Sequence, residues 1–159
     1  FKGFLYAGLM IVNNEPYLIE YNVRMGDPEC QTILPRLKTD IIDIFYACSE
    51  GKLDTIDIEW HEENSLCIVL CSKGYPDKYK NNFPILKLDK IKLKKNEFIF
   101  HAGTKKDNNK IYSNGGRVLN FVVNSNNFKI SRNRAIQIIE ELDWPNGYFR
   151  RDIGYKVIK

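Results

Sequence analysis

Residues 20–29, Glu20-Tyr21-Asn22-Val23-Arg24-Met25-Gly26-Asp27-Pro28-Glu29, constrain this chain more than any other stretch. The preceding Pro16-Tyr17-Leu18-Ile19 reads as an extended, half-buried run. Side chains alternate faces along a strand, so Glu20, Asn22 and Arg24 are expected to point one way. Gly26 permits a sharp turn. Pro28 suits the first turn of a helix, with Asp27 as its N-cap. A strand bearing a carboxylate, an amide oxygen and a guanidinium that runs straight into a helix start suits a magnesium–phosphate site. Magnesium takes hard oxygen ligands and shares them with phosphates, while arginine forks onto the remaining phosphate oxygens. The plain alternative is a polar sheet face, and the Gly-Asp-Pro-Glu continuation argues against it.

Around this stretch the chain reads as two units. Apolar runs 4–12 and 16–22 flank Asn13-Asn14-Glu15 and predict a hairpin. Residues 28–37 predict a short helix interrupted at Pro35. Thr39 or Asp40 is positioned to cap a second helix, with Ile41, Ile42, Phe45 and Cys48 at helical spacing and Gly51 ending it. The polar, acidic stretch 54–64 marks the boundary, giving units 1–63 and 64–159. In the second unit, strands are predicted over 65–72, 97–102 and 117–123, a polar loop over 105–110, and a strand-like return over 148–159. A helix capped by Ser131 carries the stripe Ala135, Ile138, Ile139 and Leu142. The fold class is α+β, with a small mixed β-sheet unit and one packed helix at the C-terminal side.

Composition narrows the function classes. The hydrophobic share of 43% suffices for a core and excludes a disordered chain. No apolar run reaches the roughly 20 residues a membrane-spanning helix needs, so no membrane partner is expected. The net charge of +4 owes much to Lys87, Lys90, Lys92, Lys94 and Lys95. That cluster lacks interleaved aromatics and glycines, so nucleic acid is not an expected partner. Cys30, Cys48, Cys67 and Cys71 have no zinc or redox spacing and read as free thiols of a reducing, cytoplasmic setting. His101 ends an apolar strand without a nucleophile or carboxylate beside it and reads as structural. Phe4 to Val12 is already a core-like strand, which predicts an ordered fragment of a longer chain.

The Glu20–Glu29 stretch resembles the signature of the phosphoribosylamine–glycine ligases, ATP-grasp enzymes of purine synthesis. The likeness continues in order through Gln31-Thr32, Leu34-Pro35, Lys38-Thr39-Asp40, Gly74-Tyr75-Pro76, Phe100-His101-Ala102-Gly103-Thr104, Asn114-Gly115-Gly116-Arg117-Val118-Leu119 and Arg150-Arg151-Asp152-Ile153-Gly154. It implies the C-terminal part of an ATP-grasp domain over 1–63 and a small terminal domain over 64–159, with the N-terminal portion of the same enzyme as missing partner. Further partners implied are ATP, glycine and 5-phosphoribosylamine. The metal is magnesium or manganese, on Glu20 and Asn22. Arg24 would stabilise the transferring phosphoryl group, Asp27 would sit near the glycine or the amine, and Leu18, read as sharing a face with Glu20, would floor the adenine. Arg150 and Arg151 match a basic pair that grips a ribose-linked phosphate in related purine enzymes, with Arg117 as a candidate helper. One departure stands out. The strand before the Glu-x-Asn strand reads Gly8-Leu9-Met10-Ile11, without the further acidic ligand many ATP-grasp enzymes place there. A rival expectation is a non-enzymatic module that docks a partner chain.

Overall fold

The computed structural model describes residues 1–158, which divide into two compact units, 1–61 and 62–158.

The first unit opens with an antiparallel hairpin of β1 (Tyr6–Val12) and β2 (Glu15–Asn22). Asn13 and Asn14 turn it with φ of 52° and 64°. A two-residue loop with both residues left-handed matches the twist of the flanking strands, and asparagine tolerates that region better than other side chains with a Cβ. The hairpin is apolar on both faces. Leu9, Met10, Ile11 and Val12 are successive residues and all are exposed, as are Tyr17, Ile19 and Tyr21 opposite. Strands of this kind normally belong to a sheet covered on both sides.

Helix α1 (Glu29–Ile33) follows and tightens into a 3₁₀ turn over Leu34–Arg36, with Pro35 inside it. Pro28 itself, not Asp27, occupies the N-cap position, and no side chain caps this helix. Helix α2 (Ile41–Glu50) is capped by Asp40, whose carboxylate accepts from Ile42 N at 2.8 Å, and closed by Gly51 at φ 74°. Thr39 acts elsewhere: its hydroxyl accepts from Glu59 N at 2.7 Å and helps fix the return strand segment, where Leu37 bridges Trp60.

The second unit is a four-stranded antiparallel sheet covered by one helix. Its strands are β3 (Asn64–Ser72), β4 (Glu97–His101), β7 (Arg117–Ser125) and β8 (Gly147–Tyr148), in the order β4-β7-β3-β8. A separate hairpin, β5 (Thr104–Asp107) with β6 (Lys110–Ser113), replaces the polar loop expected at 105–110. Its turn, Asn108-Asn109, has φ of 43° and 61°, the same device as Asn13-Asn14. Helix α3 (Phe128–Leu142) lays Ala135, Ile138, Ile139 and Leu142 on Leu66, Ile68 and Leu70 of β3 and Phe121 and Val123 of β7. Each of these large side chains contributes about 1.5–3 kcal/mol by leaving water.

Two expectations fail here. Ser131 does not cap α3. Asn127 does, its Oδ1 accepting from Lys129 N at 2.8 Å and Ile130 N at 3.3 Å. Ser131 lies fully buried one turn in, its hydroxyl 2.7 Å from that of Ser125. The strand-like return at 148–159 shrinks to Gly147–Tyr148, and residues 151–157 form successive turns; Lys159 lies outside the described residues.

Candidate active site

The residues singled out from the sequence fall into two groups, one in each unit. In the first unit, β2 pairs Glu20 with Gly8 and Asn22 with Tyr6. Cross-strand partners share a face, and Tyr6 and Gly8 lie two apart on β1, so Glu20 and Asn22 face the same way. The backbone of Gly8 lies close against Glu20: a Cβ there would meet Glu20 Cγ at 3.2 Å.

The register then changes. Leu18 pairs with Leu9, so Ile19 is an extra residue, a β-bulge between the Gly8–Glu20 and Leu9–Leu18 pairs. Gly8 and Leu9 are adjacent and face opposite ways, so Leu18 and Glu20 do too. The expectation that Leu18 shares the face of Glu20 is corrected on this ground. One added residue reverses the alternation on which it relied.

Arg24 lies beyond the end of β2, in a bend, and the strand alternation does not extend to it. Its Nη1 donates to the carbonyl of Met25 at 3.0 Å and the side chain is exposed. Asp27 Oδ1 accepts from Gln31 Nε2 at 2.9 Å, one turn ahead in α1. Gly26 is packed by Glu29: a Cβ at Gly26 would lie 1.4 Å from Glu29 Oε2. The Gly-Asp-Pro-Glu run is therefore a turn folded onto the start of its own helix, with the Glu29 carboxylate resting against Gly26.

In the second unit Arg117 stands at the start of β7, and Arg150 and Arg151 follow the edge strand β8. Arg117 opens β7 and pairs with Cys71 of β3, and Cys71 pairs on its other side with Tyr148 of β8. Arg117, Cys71 and Tyr148 thus form one row across three strands, at about 5 Å per strand. Burial pushes the Cys71 thiol above its usual range, and the nearby Arg117 charge pulls it back in part. The glycines before Arg117 serve packing. Gly116 lies under the Tyr75 ring, where a Cβ would be 2.1 Å from a ring carbon, and its carbonyl accepts from Ser72 N at 2.7 Å. Gly103 closes on the backbone of Gly115 and Arg117, each 2.7 Å from where a Cβ would stand. His101 Nδ1 is 2.8 Å from Thr104 Oγ1, and the side chain is exposed.

Arg150 and Arg151 follow β8, where the strand has ended and the turns begin. This removes the objection that neighbours on a strand face opposite ways. They line an open cleft of about 630 Å³ with Gly147, Tyr148, Phe149 and Asp152. Both are paired. Arg150 donates from Nε to Asp152 Oδ1 at 3.0 Å and from Nη2 to Oδ2 at 2.7 Å. The hydrogen bond and charge of Asp152 hold the Arg150 guanidinium above its already high range, and Arg150 holds the Asp152 carboxyl below its own. Arg151 pairs with Glu140 of α3 at 2.8 Å and lies over the Phe149 ring, 5.0 Å from its centre. Glu140 and Phe149 were not singled out from the sequence. Phe149 adjoins the basic pair, but Glu140 is brought there only by the packing of α3.

The family described as phosphoribosylglycinamide synthetase, C domain, matches residues 65–156, and the ATP-grasp (A) domain of the same synthetase matches residues 1–30. A phosphoribosylamine–glycine ligase of Agrobacterium fabrum is 44% identical over 158 residues, covering 99% of this chain and 37% of that protein. One from Caldanaerobacter subterraneus subsp. tengcongensis is 42% identical over 154 residues, 97% of this chain and 36% of that protein. The crystal structure of the Thermotoga maritima phosphoribosylamine–glycine ligase aligns with a TM-score of 0.77 at 30% identity, over 94% of this chain and 36% of that one. The chain thus spans a little over a third of the length of the relatives it matches. With a C-domain match over most of its second unit and an A-domain match at its start, the chain belongs to the phosphoribosylglycinamide synthetase family.

Proposed function

We propose that this chain is the C-terminal portion of a phosphoribosylamine–glycine ligase. In the reaction, a glycine carboxylate oxygen attacks the γ-phosphorus of ATP and releases ADP. The amine of 5-phosphoribosylamine then attacks the glycyl phosphate carbonyl. Phosphate leaves with the former carboxylate oxygen, and glycinamide ribonucleotide results. The observation that carries this reading is the 44% identity to such a ligase across nearly the whole chain. Residues 1–63 would complete the ATP-grasp domain and 64–159 form the terminal domain.

The donor set in β2 fits a hard divalent cation. Glu20 and Asn22 offer oxygen donors on one face of β2. Two protein ligands suit magnesium or manganese, which fill their remaining positions with phosphate oxygens and water. When bound, the ion would neutralise charge on the β- and γ-phosphates. The chain's own residues do the rest by position and charge. Arg24 would turn from the Met25 carbonyl onto the transferring phosphoryl group, and Asp27 would orient the glycine or the incoming amine. Arg150 and Arg151, with Arg117 as a candidate helper, would hold the 5′-phosphate of the sugar. The apolar hairpin, exposed on both faces, supports a further partner: the remaining portion of the ligase, which would cover it. The four free thiols suit the cytoplasm, where thiols stay reduced.

The test uses the full-length ligase and glycine labelled with ¹⁸O in its carboxylate. One labelled oxygen is expected in the released phosphate for each glycinamide ribonucleotide formed. Product without label in the phosphate would overturn the glycyl phosphate route. No product from ATP, glycine and phosphoribosylamine would overturn the ligase reading itself.

A further inference from the structure

We propose that the two adjacent arginines divide their work: Arg151 is the guanidinium that grips the sugar phosphate, Glu140 is its positioning residue, and Arg150 serves mainly to neutralise Asp152. This rests on the reading of the basic pair as a phosphate site and deepens it.

The pairings differ in kind. Arg150 is clamped by both oxygens of Asp152, two residues away, through Nε and Nη2. That is the fork geometry a phosphate would need, and a carboxylate already fills it. A phosphate could use this fork only by displacing Asp152, which would then stand bare beside a dianion. Arg151 is held from two other sides. Glu140 takes Nη1, and the guanidinium carbon lies over the Phe149 ring. Among the described residues no hydrogen bond or ion pair is made by its Nε and Nη2, and Arg151 lines the cleft with Tyr148. A donor edge fixed in place beforehand loses less freedom when an anion arrives.

The location of Glu140 is itself informative. It sits in the last turn of α3, which contains no basic residue. Carboxylates are disfavoured there because the helix presents the negative end of its dipole. Both acids of that turn meet guanidiniums: Glu140 meets Arg151, and Glu141 meets Arg134 at 3.2 Å. An exposed ion pair adds little stability by itself, so the arrangement is better explained by where it puts Arg151. Glu140 also lines a smaller cavity of about 230 Å³ with Trp144 and Phe149.

The experiment measures, in the full-length ligase, the KM for phosphoribosylamine and the inhibition constant of ribose 5-phosphate, with melting curves alongside. Arg151→Ala is expected to raise both constants by roughly tenfold or more, the loss of charged hydrogen bonds. Glu140→Gln is expected to raise both several-fold, with kcat, the KM values for ATP and glycine, and the melting temperature unchanged. Glu140→Asp should recover much of that loss. Arg150 is removed together with its partner, as Arg150→Ala/Asp152→Ala, so that no bare carboxylate remains; both constants should rise clearly less than in Arg151→Ala. A Glu140→Gln variant with parental constants, or a double variant that loses as much as Arg151→Ala, would overturn the division of labour while leaving the phosphate site standing. Parental constants in Arg151→Ala and in the double variant alike would overturn the phosphate site and this proposal together.

Discussion

Arg134 holds Glu97 by both oxygens: Nε donates to Oε1 at 2.8 Å and Nη2 to Oε2 at 3.0 Å. The pair ties α3 to the first residue of β4, and Glu97 accepts a third hydrogen bond from Lys94 N at 3.0 Å. The side chain of Glu97 is 2% exposed. Burial by itself would raise the Glu97 carboxyl, but the hydrogen bonds from Arg134 and Lys94, with their charges, outweigh it and hold the pKa below the usual value. The folded pKa thus lies below the unfolded one, about 4.3. The stabilisation is fully present above that value and is lost as pH falls through the folded pKa. Glu97→Gln is expected to cost about 2 kcal/mol at neutral pH, because Arg134 loses its main partner. Denaturant melts from pH 7 down to pH 3 should show the gap between parent and variant closing in acid. A constant gap across that range would contradict the assignment.

The core beneath α3 makes a simpler prediction. Phe121 is fully buried at the centre of β7 and packs in the cluster with Ile138 and Leu142. Phe121→Ala should cost about 3–5 kcal/mol, transfer and cavity together. Urea titration of the 159-residue chain measures it. A loss below about 1 kcal/mol would mean that the α3 face is not the core.

In the hairpin, Glu20→Gln and Asn22→Leu test the metal assignment. Both side chains lie on the surface of this chain or only partly inside it, so folding has little need of them. In the full-length ligase each is expected to lower turnover by two orders of magnitude or so, as for other groups that stabilise charge at a reacting centre, while the melting temperature shifts little. Each should also raise the magnesium concentration needed for half-maximal rate. Near-parental turnover of both variants at low magnesium would remove Glu20 and Asn22 from the ligand set.

Local chemistry was the legible part of this fold. The β1–β2 turn, the Asp40–Gly51 bounds of α2 and the apolar stripe of α3 follow from short-range rules and stand in the structure. Elements without an apolar period were harder to see. The β5–β6 hairpin is polar and largely exposed, so Lys105 to Lys110 carries no alternation to read. Ser131 has the chemistry of a cap, yet Asn127 lies one turn earlier and takes the role, leaving Ser131 for a buried hydroxyl contact. At the candidate site, the residue types near Glu20 could be read from spacing, but the bulge at Ile19 could not, and it is the bulge that sends Leu18 to the other face. Glu140 stands eleven positions before Arg151, and only the packing of α3 against the sheet brings the two together.

The last prediction concerns the chain by itself. Its hairpin exposes Leu9, Ile11, Tyr17 and Ile19, side chains that a sheet normally covers. The chain also spans only 37% of a relative 44% identical to it. The Glu20–Asn22 face would therefore meet ATP only when the rest of the ligase supplies the other wall of the nucleotide site. The 159-residue chain alone is expected to form no glycinamide ribonucleotide from ATP, glycine and phosphoribosylamine. Adding the complementary N-terminal portion as a separate chain should restore product and protect the backbone amides of 6–22 from hydrogen exchange, because covering the hairpin removes its local opening. Turnover by the chain alone, its mass verified, would show that the two groups of residues described here suffice. Restored turnover without protection at 6–22 would show that the remaining portion binds elsewhere and leaves the hairpin bare.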